Sequence, residues 1–398
     1  MTTFPQTRSL RCVFAHDHIF VERQGKFASR SGLPHSVLAR YADAFGEVDV
    51  ICRSRTEAES TVPLIIDPRV HFYPMRNVRS LEGLREIGQV ASAISKIVKR
   101  ADCVIARLPS VIGLLSAAAS VRHGKPLAVE VVGNAWEANI YHGARIGPII
   151  APIEHLICKA FVKRAKISIY ITTDYLQRVY PTKGHVFVCP NVQIDEIVPA
   201  DRVKGRLVKS ASSKWIFGLV GSLDVSYKGH ETAITALAKL KQSLPQADLR
   251  LQFAGGGDPA RWERLAIAAG VSENVDFLGT ISPGEPMRRW YDSVDIVMQP
   301  SQVEAQGRAI IEAMSRGKPV VATRTGGIPE LISEDCLVRV ADANELAERT
   351  SALVRNSAHY EAIALRNLTA SRAFLKPAIE RQRKKAFDCL RTQIDSVN

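Results

Sequence analysis

No apolar run in these 398 residues approaches the length of a membrane span. The longest, such as Val111 to Val121, are broken by Gly, Ser and Ala and read as buried helices. The opening MTTFPQTRSLR has no apolar signal region before the first strand pattern, so the expectation is a cytoplasmic protein. Paired cysteine spacing is missing too. Cys12, Cys52, Cys103, Cys158, Cys189, Cys336 and Cys389 are scattered, odd in number and free of C-x-x-C, which argues against a disulfide framework or a zinc site and leaves core thiols. Acidic residues are in short supply, 40 against 53 Lys and Arg, for a net charge of +13 and a pI near 9.5. Such a surface attracts an anionic partner: nucleic acid, anionic lipid or a phosphorylated small molecule. Nucleic acid is disfavoured, because the basic residues are spread along the chain and no zinc-finger, RNP or helix-turn-helix signature appears. The densest basic run, Arg381 to Lys385, reads as a solvated helix face.

What is present is an alternation of short buried strands and helices over a length natural for two domains, with 46% hydrophobic and 23% charged residues. Leu10 to Phe14 is a strand running into the polar loop Ala15-His16-Asp17-His18. The stretch Gly25 to Pro34, containing Gly32, then leads to a helix from His35 and a strand Val48 to Cys52, the start of a doubly wound unit. No full G-x-G-x-x-G occurs there, so a dinucleotide fingerprint is not supported. His16 and His18 are too few for a metal site and read as polar residues near an acceptor. Further on come a helix Leu81 to Lys99, strands at Asp102 to Ala106 and Leu127 to Val132, and the loop Gly133-Asn134-Ala135-Trp136. Glu130 lies inside that last apolar strand, an expensive place for a carboxylate. It is either functional or paired with a cation such as Arg107. Gly147 to Lys163 reads as an amphipathic helix whose apolar face belongs to the core, with shallow membrane docking as the minority reading. Residues 191–213, polar and poor in apolar pattern, are the expected interdomain linker.

The second half starts again with the strand Lys214 to Val220. Gly221-Ser222 follows, then Tyr227-Lys228-Gly229-His230 opening a helix. Lys228, beside a glycine turn at a helix start, is placed to grip a diphosphate, although most lysines are only surface charges. Gln299 to Glu330 organises this half: strand, polar turn with Glu304, Gly307, then an apolar-periodic helix with Ile310, Ile311 and Met314 that stops at Gly317. A loop at the carboxyl end of a parallel strand is where open α/β sheets bind ligands, and a helix start offers N–H groups to an anion. Two glutamates eight apart are usually solvated. Here Glu304 and Glu312 bracket that helix start, and each can accept two hydroxyls of a sugar diol.

The order G-S-L…Y-K-G-H (221–230), F-A-G-G-G (253–257), F-L-G (277–279), P-S…E-A-Q-G-R-A-I-I-E-A-M (300–314), G-K-P-V-V-A-T (317–323) and G-G-I-P-E (326–330) resembles glycosyltransferase family 4, across roughly residues 214–340. E-V-V-G-N-A-W (130–136) is similar to its bacterial exopolysaccharide and capsule members. The resemblance implies an α/β GT-B fold: two Rossmann-like domains facing across a cleft, with the C-terminal helix crossing back. Its boundaries would be 1–192 with 377–398, the acceptor domain, and 193–376, the donor domain.

The resemblance also implies roles. Glu312 would hold the ribose hydroxyls, Glu304 the transferred sugar, the N–H groups of Gln306 and Gly307 the diphosphate or sugar, and Lys228 the diphosphate charge. The base would lie near Leu278 and Gly279. Gly32 would complete the phosphate site, while Gly133 and Asn134 would approach the sugar, with His16, His18, Glu130 and Trp136 on the acceptor side. The family commonly has Arg where this chain has Ser222, which shifts phosphate charge onto Lys228 with help from Arg308. Many members have His where Gly133-Asn134 stands. No D-x-D motif is present and no metal or other cofactor is required. The donor expected is a UDP- or GDP-sugar, and the acceptor a saccharide, lipid-linked in a surface-polysaccharide pathway, with peripheral contact to an anionic inner-membrane surface. The rivals are a GT-B sugar-nucleotide epimerase and a sugar-nucleotide-binding protein without turnover.

Overall fold

A computed structural model describes residues 9–30, 32–57, 62–78, 83, 85–142, 147–204, 210 and 212–396. The chain divides into two compact units, residues 1–189 with 380–398, and residues 190–379.

The first unit is built on a sheet of eight strands: β1 (Leu10–Arg23), β2 (Lys26–Ala28), β3 (Gly46–Thr56), β4 (Val70–Pro74), β5 (Cys103–Leu108), β6 (Leu127–Val131), β7 (Ile167–Tyr170) and β8 (His185–Val188). Their order is β4-β3-β1-β5-β6-β7-β8 with all these pairs parallel, and β2 folds back antiparallel on the end of β1. Two differences from the sequence reading have local causes. The polar Ala15–His18 segment stays in β1, with a register shift between Ala15 and Ile19 where it pairs with β3, so a bulge replaces the expected loop. The β1–β2 hairpin turns on Gln24 and Gly25, both at positive φ, as a two-residue turn matching strand twist requires. The helix expected from Leu81 is seen as Ile87–Lys99, its first residues partly outside the described set.

The helix Gly147–Arg164 departs most from expectation. Its buried side carries Gly147, Ala151, Glu154, Cys158 and Val162, whereas Ile149, Ile153, Leu156 and Ile157 face solvent. The apolar face read as core is therefore the outer one.

The second unit has six parallel strands, β9 (Lys214–Val220), β10 (Asp248–Ala254), β11 (Val275–Phe277), β12 (Ile296–Gln299), β13 (Val320–Thr323) and β14 (Leu337–Val338), in the order β11-β10-β9-β12-β13-β14. The order reverses between β9 and β12, which makes that the topological switch point. Trp215, Phe217, Leu219, Phe253, Met298, Ile310, Met314 and Val321 are among the side chains that fill its core. Val192, Ile194, Val198 and Val203 join them, so the described part of the stretch read as a linker packs into this unit. Ile194 also bridges to Leu375. The cysteines are free thiols, and all but Cys389 are buried.

Candidate active site

At the carboxyl ends of β9 and β12, glycines bring the backbone together. Gly229 has φ +81° and is the N-cap of the helix His230–Ser243; a Cβ there would lie 2.0 Å from the Pro300 carbonyl oxygen. Gln302 N–H donates to the Tyr227 carbonyl at 2.7 Å, closing the two loops on each other. Gly307, at φ +86°, is the N-cap of the helix Arg308–Ser315. Neither helix start has a side-chain cap hydrogen bond. The first N–H groups of both helices, which no intrahelical carbonyl can satisfy, thus stand at the switch point with the positive dipole ends beside them.

Charged side chains surround these termini. Lys228 Nζ lies 2.6 Å from Glu304 Oε2, both largely screened from water. The ammonium has three hydrogens, so the pair leaves donors for an anion. Lys228 lies over Gly221, where a Cβ would come within 2.8 Å of its Cγ. Gly326 and Gly327 support Glu304 from behind: a Cβ on Gly326 would lie 1.8 Å from the Glu304 carbonyl oxygen, which also accepts from Gly327 N–H at 3.2 Å. Glu312 follows one turn after Arg308. Burial raises its pKa above the ordinary carboxylate value, against the opposing pull of Arg308 and of the Tyr291 hydroxyl, which donates to Oε2 at 3.2 Å.

The remaining rim is continuous. Leu223 N–H donates to the Gly256 carbonyl, Gly255 N–H to Gly279, and Leu278 N–H to Phe253. Leu278 is exposed, and Gly279 has φ +68°. Ser222 is placed on this rim with its hydroxyl near Asp224 and the Gly256 carbonyl. Gln306 differs from the rest: its side-chain oxygen accepts from the Asn191 and Val192 N–H groups, so this side chain anchors the start of the second unit.

One contributor had no local signal. Tyr291, on the helix Glu285–Ser293, orients Glu312 from another element, and nothing in its spacing reveals that. His230 is fully buried, stacked on Trp262 with centroids 4.8 Å apart, and burial lowers its pKa to about 4.

In the first unit the expected residues are mostly held internally. Glu130 accepts from Tyr41 OH at 2.6 Å and Arg107 Nη1 at 3.3 Å, the paired side of the alternative left open by its sequence. Asn134 Oδ1 accepts from Trp136 N–H, and its Nδ2 donates to Tyr175 OH, so it caps the helix Ala135–His142. Gly133 lies beside Pro109, and Trp136 is half exposed. His16 is half-buried, and desolvation and then Arg107 lower its pKa to about 3; His18, lowered to about 4 for the same reasons, lies 2.8 Å from Ser29 Oγ. Gly32 has φ +81° with open space around it. Among the described residues no group of three His, Cys, Asp or Glu is placed to hold a metal ion.

The sheet order 3-2-1-4-5-6 places these uncapped helix starts at the switch point, and comparison with known proteins adds what the chain is similar to. Residues 214–356 match the family described as glycosyl transferases group 1. Protein CapJ of Staphylococcus aureus is 29% identical over 384 residues, 95% of each chain. The D-inositol 3-phosphate glycosyltransferase of Corynebacterium efficiens is 35% identical over 124 residues, 30% of this chain and 29% of that protein. Among solved structures, Anabaena HepE in complex with UDP and glucose has a TM-score of 0.65 at 18% identity, covering 95% of this chain and 99% of that one. WaaG, a glycosyltransferase involved in lipopolysaccharide biosynthesis, has 0.60 at 17%, covering 96% and 99%. The fold is the GT-B glycosyltransferase fold. The second unit carries a glycosyl transferases group 1 domain, as its motif order implied, and the chain is an enzyme of the glycosyltransferase class.

Proposed function

We propose that the chain is a retaining glycosyltransferase that moves a hexose from a UDP- or GDP-sugar to a saccharide acceptor, a lipid-linked precursor of a surface polysaccharide. The observation that carries this is the pair of uncapped helix starts at Gly229 and Gly307, with Lys228 and Glu304 joined between the loops and Glu312 buried one turn further on. In the reaction the bond from the anomeric carbon to the diphosphate oxygen breaks. The charge that develops on the leaving nucleoside diphosphate falls on the two helix N-termini and on Lys228, fixed donors that need no reorganisation. Glu312 holds the ribose hydroxyls and Glu304 those of the sugar. The acceptor oxygen bonds to the same face that the diphosphate leaves, and its proton goes to the departing phosphate oxygen. The products are a glycoside and a nucleoside diphosphate.

The surface-polysaccharide reading draws support from the fold likeness to WaaG, a glycosyltransferase involved in lipopolysaccharide biosynthesis. UDP-glucose is the first donor to try, since HepE has been seen with UDP and glucose. The test is proton NMR of the product with matched donor and acceptor. An α-linked donor giving an α-linked glycoside is expected; an inverted product would remove the proposed same-face step. Conversion of the donor sugar with no acceptor present would point instead to an epimerase.

A further inference from the structure

In the helix Gly147–Arg164, exposure and hydrophobicity are inverted. At 100° per residue, Ile149, Ile153 and Leu156 form one stripe with Ile157 at its edge, and the same stripe ends in Lys163 and Arg164. Ile149, Leu156 and Ile153 are 71%, 64% and 57% exposed. The neighbouring helix Ala135–His142 adds the exposed Trp136 and Ile140, and Trp136 stands edge-on to His155 with centroids 6.4 Å apart. A water-facing helix ordinarily puts its aliphatic side chains inward. Here the inward face holds small residues and Glu154, which accepts from Asn139 Nδ2 at 2.7 Å.

The charge on this surface has one sign. Between residues 135 and 166 the acids are Glu137 and Glu154 alone. Glu154 is buried, and Glu137 is half-buried and accepts from Tyr175 OH at 2.6 Å. Lys159, Lys163, Arg164 and Lys166 are exposed. Aliphatic side chains flanked by an aromatic and by basic residues suit the boundary of an anionic bilayer, where apolar groups enter the acyl region and lysines meet headgroup phosphates.

We propose that this face, Trp136, Ile140, Ile149, Ile153, Leu156 and Ile157 with Lys163 and Arg164, docks the protein on an anionic lipid bilayer. Among the described residues no helix is long and apolar enough to cross a membrane, so the attachment is peripheral. The helix Ala135–His142 begins where β6 delivers Gly133 and Asn134, so docking holds that rim of the first unit at the lipid surface. This consequence rests on the proposed lipid-linked acceptor.

The experiment is flotation of the full chain with vesicles of phosphatidylcholine alone or mixed with phosphatidylglycerol, at low and physiological salt. Wild type should float with the mixed vesicles, less so at higher salt. Ile149→Ser combined with Leu156→Ser should weaken partitioning about tenfold or more, and Lys163→Glu with Arg164→Glu should do so chiefly at low salt. Far-UV circular dichroism should not change. A nucleotide thermal shift on wild type and the same variants reads the donor site separately: no shift in wild type speaks against the donor reading, and no flotation of wild type against docking. The proposal is overturned if wild type does not float at low salt, or if the double serine variant floats like wild type. It is equally overturned if wild type sediments as a dimer that the serine variant makes monomeric, because the face then belongs to a second copy.

Discussion

The two units share a strand order, yet the helix that follows the fourth strand of the doubly wound order begins differently in each. After β5 in the first unit, the helix Val111–Arg122 has its N-terminus filled by its own chain: Asp17 accepts from the Val111 and Ile112 N–H groups at 2.9 Å, and Ser110 from Gly113. After β12 in the second unit, the helix Arg308–Ser315 begins at Gly307 with no side-chain cap. The first unit supplies its own carboxylate to the dipole end, while the second has no side-chain cap there, the end to which the proposed function assigns an anion from outside. Topology makes such a site available, and the residues at one or two positions decide whether the protein or a ligand fills it.

The comparison can be broken first at Lys228. Lys228→Ala should lower turnover roughly 100- to 1000-fold, the size expected when a fixed stabiliser of leaving-group charge is removed; steady-state kinetics with saturating donor check this. If turnover changes less than about threefold, the helix starts alone carry the charge.

Acid should act on both units. His230 is held neutral, its folded pKa of about 4 lying below the ordinary 6.5. Its contribution is therefore complete above pH 6.5 and is lost as pH falls toward 4, about 3 kcal/mol in all. His16 and His18 shift in the same direction. Denaturant titrations at pH 7 and pH 4.5 should show this fall, and His230→Gln should shrink it.

Glu312 separates function from stability. Its raised pKa means that ionisation is disfavoured in the fold, so its contribution is greatest below the unfolded pKa and declines as pH rises through the folded one. Glu312→Gln at neutral pH should leave stability unchanged or raised while weakening donor affinity about 10-fold or more, as expected when a buried acceptor of sugar hydroxyls loses its charge. Calorimetric titration with the donor, beside a thermal melt, would show both. Asp17→Ala should do the reverse: about 1–2 kcal/mol of stability lost with the cap, and donor affinity in the second unit unchanged.

Much of the second unit was legible because its chemistry is local. Gly229, Gly307, Glu304 and Glu312 lie in short stretches whose backbone and charge needs can be read from spacing, and strand–loop–helix order puts them at the switch point. Tyr291 was not legible, because it reaches Glu312 across 21 positions in sequence. In the first unit the strands could be read but not the contacts. Asp17 meets its helix 94 positions away and Glu130 meets Tyr41 across 89, and no periodicity encodes such pairs. The helix Gly147–Arg164 misled for another reason: amphipathic spacing reveals a face but not which way it points.

The most direct test of the open-anion site is a thermal-shift titration of the full chain with UDP, GDP, ADP and their sugar conjugates, run on wild type and Lys228→Ala. A ligand bound only by the native state raises the melting temperature with concentration. The account predicts a rise with one nucleotide family, largely lost in the variant. No rise with any of them, or an equal rise in both proteins, would contradict it.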